Sequence, residues 1–302
     1  MPKRSHRYAV VDVFSARPLA GNPVAVVFDA DGLDAEAMQA IARWTHLSET
    51  TFVLPPTTPA ADYRLRIFTP RSELPFAGHP TLGSAHAVLE AGRATPREGG
   101  RLVQQCDIGL VDVTIDNNEA DGRELSFALP SARIEPLSAA DIAELALILG
   151  CKLHHEVAPA IVNVGAIWVV LPMTDAAAVL DLQPDFARLA AFERRLGVTG
   201  LTVFGRYPQG DVAIEVRAFA PSCGVEEDPV CGSGNASVAA FQWERGMLPA
   251  DGVAYVAAQG RCVGRDGRVK VRVGVDGQVR VGGSCITCVD GVLGLQDQEQ
   301  AK

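Results

Sequence analysis

The sequence predicts an α/β protein of two similar lobes, each wrapping strands around one small-residue helix. Three observations lead there. The stretch RIFTPRSELPFAGHPTLGSAHA (66–87) returns as RAFAPSCGVEEDPVCGSGNA (217–236). Arg66, Phe68 and Pro70 recur as Arg217, Phe219 and Pro221 at an offset of 151 residues, and upstream Thr51 falls on Thr202. Pro80, Gly83, Ser84 and Ala87 recur as Pro229, Gly232, Ser233 and Ala236 at an offset of 149, so a two-residue deletion reconciles the copies. Secondly, each copy reads strand, loop, proline, then a Gly-Ser turn opening an Ala-rich helix, expected over 82–90 and 233–245. Helices this poor in bulk let strands approach closely, and their free N–H ends suit an anion. Thirdly, 302 residues at 48% hydrophobic and 21% charged suffice for two cores. The lobes are placed at 1–129 and 130–302, the last residues packing back on the first lobe.

Taken in order, strands are expected at 8–14 and 24–28, joined by SARPLAGNP, in which Asn22 serves as a turn residue or a ligand. A helix follows from Asp34, with Leu33, Ala37, Ile41 and Trp44 on one face, ending near His46. Glu49 then enters a strand among serine, threonine and apolar neighbours. A carboxyl group buried there rises from its usual pKa of about 4.3 towards a range where it both takes and returns a proton. The alternative is a Glu that bonds nearby hydroxyls or N–H groups. After a strand at 62–68, His79 precedes Pro80, whose ring is expected to hold it outside the helix, at its mouth. Strands at 102–106, 110–115 and 124–128 close the first half.

In the second half Ser138 and Asp141 form a capping-box variant ahead of a helix. One long strand is expected at 162–171, a helix at 184–196, and strands at 201–204 and 211–219. Short strands at 253–258, 269–273, 279–281 and 286–289 follow the second Gly-Ser helix, and 296–302 read as a frayed tail. On the offsets above, the copies differ where polar chemistry would sit: Glu49 falls on Gly200, His79 on Asp228 and Leu82 on Cys231.

A formal charge of -9 and a pI near 5.2 argue against a nucleic-acid partner and leave room for a small anionic metabolite held locally. No apolar run approaches membrane-spanning length and no signal core is evident, which places the chain in the cytoplasm without a membrane partner. Seven scattered cysteines fit free thiols. Cys285 and Cys288 have C-x-x-C spacing in strand-like sequence, where positions three apart face opposite sides. Adjacent His154 and His155 likewise point apart. The Gly232-Ser233-Gly234 run lacks the third glycine of a dinucleotide fingerprint, and there is no serine-hydrolase elbow. Neither a metal nor a cofactor is expected.

VDVF, GNPVAVV, HLSETTFV, RIFTPRSELPFAGHPTLGSA and DPVCGSGNAS together resemble the phenazine biosynthesis PhzF-like proteins over nearly the whole chain. The resemblance implies the diaminopimelate epimerase fold, two pseudo-symmetric lobes, each a mixed strand barrel about a central helix, with the active site between them. It implies an isomerase in which Glu49 is the general acid/base, moving a proton between carbons of a small carboxylate substrate without metal or coenzyme. His79, Asp228 and Ser233 would surround the substrate, Gly78 and Gly232 would offer backbone groups, and Asn22 is a further candidate contact. A homodimer is the family expectation. One departure is Cys231, where the phenazine enzyme's pattern has threonine. Related epimerases place a base cysteine at such a helix start, where a thiol's pKa falls. Leu82 in the other lobe rules out their paired-cysteine mechanism. Cys231 therefore stands as a second base, giving an epimerase or racemase, or as an inert buried thiol. A non-enzymatic metabolite-binding protein is the third reading.

Overall fold

The computed structural model describes residues 3–118, 122–151, 153 and 157–296. His154, His155 and residues 297–302 of the expected tail lie outside these. The chain divides into two compact units, Met1–Leu19 with Pro23–Leu125 and Ser284–Lys302, and Ala20–Asn22 with Ser126–Gly283.

The first unit contains β1 (Lys3–Val13), β2 (Asn22–Val27) from Pro23 on, α1 (Ala35–Thr45), β3 (Glu49–Leu54), β4 (Tyr63–Phe68), β5 (Glu73–Leu74), α2 (Gly78–Glu90), β6 (Arg101–Cys106), β7 (Gly109–Asn118) and most of β8 (Gly122–Ala128). The second contains β9 (Arg133–Pro136), α3 (Ala139–Leu149), β10 (Ala160–Asn163), β11 (Ile167–Pro172), α4 (Ala176–Leu180), α5 (Phe186–Leu196), β12 (Gly200–Arg206), β13 (Ile214–Ala220), β14 (Val225–Asp228), α6 (Gly232–Glu244), β15 (Val253–Gln259) and β16 (Gly267–Val273). The last strand, β17 (Val279–Gln296), begins in the second unit and ends in the first.

In the first unit β1 pairs with β2, β2 runs parallel to β3, β3 antiparallel to β4, β4 parallel to β6, and β6 antiparallel to β7. β7 pairs with β8, β8 with β17, and β17 returns antiparallel to β1, closing a ring of eight strands. α2 is the core of that ring, buried from His79 through Val88. Gly83 is what lets the strands come so close, since a Cβ there would lie 2.3 Å from Val24 Cγ1 and 2.9 Å from Val13 Cγ2. α1 is capped by Asp34, which accepts from the Ala37 N–H, and it ends at His46 in a left-handed conformation.

The second unit repeats this order. β11 runs parallel to β12, β12 antiparallel to β13, β13 parallel to β15, and β15 antiparallel to β16. α6 is buried from Gly234 through Gln242, as α2 is in its own unit. Ser138 caps α3 by accepting from the Asp141 N–H, as the capping-box reading expects.

Four expectations are corrected. Trp44 is 75% exposed, whereas Met38, Ile41 and Ala42 form the buried face of α1. At 100° per residue Trp44 lies about a third of a turn away from that face. The long strand at 162–171 is a hairpin, β10 and β11, turned at Gly165 with φ 104°. The two short strands at 279–281 and 286–289 are one strand, β17. α2 starts at Gly78, so His79 is helical despite preceding a proline. Pro80 falls in the first turn, where its missing N–H would have had no intrahelical partner, and this offsets the bias on the residue before it.

That helix start also corrects the repeat alignment. β3 and β12 begin 151 residues apart, but α2 and α6 begin 154 apart. The second copy therefore carries an insertion, within which the short 3-10 turn Pro221–Cys223 sits, and not a deletion. Matching Pro80 to Pro229 aligned residues of like type but unlike place, one inside its helix and one before it. In the helix frame Ala77 corresponds to Cys231, both N-caps, and His79 to Ser233.

Candidate active-site residues

In the first unit, Glu49 opens β3 beside Val24 of β2. Its side chain is 16% exposed, and Oε2 lies 3.3 Å from Nε2 of His79 in the first turn of α2. That oxygen is buried and accepts no hydrogen bond. Burial pushes the Glu49 pKa up to about 7, with a hydrogen bond from Ser48 opposing the rise. Two neighbours hold the strand and the helix in place. Thr51 Oγ1 donates to the Ala25 carbonyl at 3.1 Å and therefore accepts from Ser84 Oγ at 2.8 Å. Gln104 accepts from Tyr63 Oη at 3.0 Å and donates to Thr81 Oγ1 at 3.1 Å, anchoring the start of α2 from another strand.

In the second unit the polar residues gather at the start of α6. Asp228 Oδ1 accepts from Asn22 Nδ2 at 2.9 Å and from the Val230 N–H at 3.1 Å. Asn22 spends its other amide hydrogen on the Val230 carbonyl at 3.0 Å, so this buried side chain orients Asp228. Gln259 accepts from the Cys231 N–H at 3.1 Å and donates to the Asp228 carbonyl at 2.9 Å. Ser233 is half-buried in the first turn and accepts from the indole N–H of Trp168 at 3.0 Å.

Cys231 is the N-cap of α6, its sulfur accepting from the Gly234 N–H at 3.2 Å. Burial, then the charge of Asp228, raises its pKa well above that of an ordinary thiol. This is opposite in sign to the lowering a helix N-terminus would bring alone. All seven cysteines are free.

A duplicated ion pair braces the segment leading to each helix. Arg66 reaches Glu73 through two bonds of 2.6 and 2.8 Å, and Arg217 reaches Glu227 through two of 3.0 and 2.8 Å. Each guanidinium also stacks over the phenylalanine two residues on, Phe68 or Phe219. The two arginines were legible in the repeat at 151. Their glutamates stand 154 apart and so escaped it, as did Trp168 and Gln259, which lie outside the repeated stretch. Gly200 replaces Glu49 in the second copy because a Cβ there would come within 2.1 Å of the Phe219 carbonyl.

Among the described residues no helix is long and apolar enough to cross a membrane. The chain is 42% identical over 293 residues to antisense-enhancing sequence 1 of Schizosaccharomyces pombe, covering 95% of this chain and 98% of that protein. It is 36% identical over 267 residues to the trans-2,3-dihydro-3-hydroxyanthranilate isomerase of Pseudomonas aeruginosa, covering 88% and 90%. The solved structure of a predicted epimerase from Pseudomonas aeruginosa superposes with a TM-score of 0.80 at 32% identity, covering 95% of this chain and 99% of that one. With the phenazine biosynthesis-like family model matching residues 11–291, the chain belongs to the phenazine biosynthesis-like protein family, whose relatives include named isomerases.

Proposed function

We propose that this protein is a cofactor-independent isomerase in which Glu49 moves a proton between two carbons of a small carboxylate-bearing metabolite. The observation that carries the reading is the Glu49 carboxyl group, with a pKa of about 7 and a buried, unbonded oxygen 3.3 Å from His79. Such a group is divided between acid and base near neutral pH, the condition for taking a proton and giving it back. As carboxylate it removes a proton from one carbon of a conjugated system. The electron pair shifts through the conjugation, and the carboxylic acid returns the proton at another carbon. Atoms and electrons balance without an oxidant or reductant. His79, Gly78, Asp228, Gly232 and Ser233 are assigned to substrate binding, with Asn22 orienting Asp228.

The relative's named substrate, trans-2,3-dihydro-3-hydroxyanthranilate, is the first compound to try. Incubation in deuterated water should place solvent deuterium on a substrate carbon. The label should fall at least about 100-fold in Glu49→Gln, the scale of general acid/base catalysis. Undiminished labelling in that variant overturns the assignment.

A further inference from the structure

Trp168 is the second residue of β11, 3% exposed, and pairs in register with Gly200. The equivalent pair in the first unit is Val24 with Glu49. The indole thus stands beside the second copy of the acid position, where a Cβ on Gly200 would lie 2.7 Å from its Cζ3 atom. Its Nε1 donates to Ser233 Oγ at 3.0 Å.

A serine hydroxyl has one proton and two lone pairs, while an indole N–H only donates. The contact therefore commits one lone pair of Ser233 and leaves its proton for another partner. Cys231 Sγ lies 3.5 Å away, a weak acceptor that already receives the Gly234 N–H. A proton resting on sulfur turns at little cost to an oxyanion. Ser233 sits in the first turn of a thirteen-residue helix, where negative charge is favoured.

We propose that Trp168 is a positioning residue, fixing Ser233 Oγ so that its hydroxyl proton is presented to a carboxylate oxygen of the substrate. The proposal rests on the reading above in which Ser233 contacts substrate. It also names what that contact is, a donor to an anion.

The test is a titration of trans-2,3-dihydro-3-hydroxyanthranilate by calorimetry in a Glu49→Gln background, which blocks turnover, comparing Trp168→Phe, Ser233→Ala and the double variant. Phenylalanine keeps an aromatic ring but removes the donor together with part of the indole's packing volume. Each single change should weaken binding about 3- to 10-fold, the span of one hydrogen bond. The double variant should be no weaker than the weaker single, because Trp168 acts through Ser233. With Glu49 intact, Trp168→Phe should raise KM by the same factor and leave kcat within about twofold. Multiplying effects, an unchanged affinity in either single variant, or no binding by the background protein overturns the proposal; a loss of packing alone would produce the first. Deuterium labelling that survives Glu49→Gln brings down the acid/base reading instead, whatever the titrations show.

Discussion

Glu49 was recognisable in the sequence because a charge among serine, threonine and apolar neighbours at a strand entry is poorly placed for solvent. The sequence left open whether it bonds its neighbours or stays available, and the structure shows both, a hydrogen bond from Ser48 and a second oxygen, Oε2, that is buried and unbonded beside His79. In the proposed mechanism abstraction needs the carboxylate, so kcat/KM for deuterium exchange should fall about tenfold per pH unit below about 7 and level off above it. Cys231 carries the opposite expectation. If Glu49 alone carries the proton, as proposed, the buried thiol serves as a helix cap, and Cys231→Ala should keep exchange within a few-fold of wild type in the same assay; a large loss would favour the two-base reading. Glu193 gives a residue-scale test of stability. It is fully buried, accepts from the Ser222 N–H at 2.9 Å, and burial raises its pKa to about 7. The folded state then binds this proton more tightly than the unfolded chain, so its contribution to stability is fully present below about pH 4.5 and is lost as pH rises through about 7. Glu193→Gln keeps the acceptor and removes the titration. Melting curves should show Tm declining by a few degrees less in the variant than in wild type between pH 5 and 8.

At the scale of elements, strand and helix positions were legible because their signals are local: alternation, a capping Asp34 or Ser138, a glycine in a turn. Helix phase was not. Residues 66–87 and 217–236 look alike at an offset that joins Pro80 to Pro229, while packing requires the N-caps Ala77 and Cys231 to correspond. The paired arginines follow the same division. Arg217 and Glu227 are 5% and 6% exposed, against 19% and 30% for Arg66 and Glu73. Stripping the partner from a buried charge costs about 3–5 kcal/mol, whereas a partly solvated pair contributes about 1 kcal/mol or less. Denaturant unfolding should accordingly find Glu227→Ala several-fold more damaging than Glu73→Ala, and equal losses would show that the two braces are energetically alike.

Across the whole molecule, the first unit is assembled from separated parts of the chain, Met1–Leu19, Pro23–Leu125 and Ser284–Lys302. β17 pairs with β1 along the full length of β1, from Lys3 opposite Gln296 to Val13 opposite Cys285. Removing residues 284–302 deletes one strand of the eight and exposes β1 as an unpaired edge. The shortened chain should lose cooperative unfolding and become protease-sensitive within residues 1–125, and native-like resistance there would show the ring to be dispensable. The sequence by itself determined the duplication, the rough positions of most strands and helices and the choice of Glu49 as the candidate to test, since these rest on local pattern and on residue type. Only the tertiary structure decided the helix frame, the bond from Trp168 to Ser233 and the register in which β17 pairs with β1. Each of those depends on residues far apart in the chain meeting at a few ångströms, and no local periodicity records such a meeting.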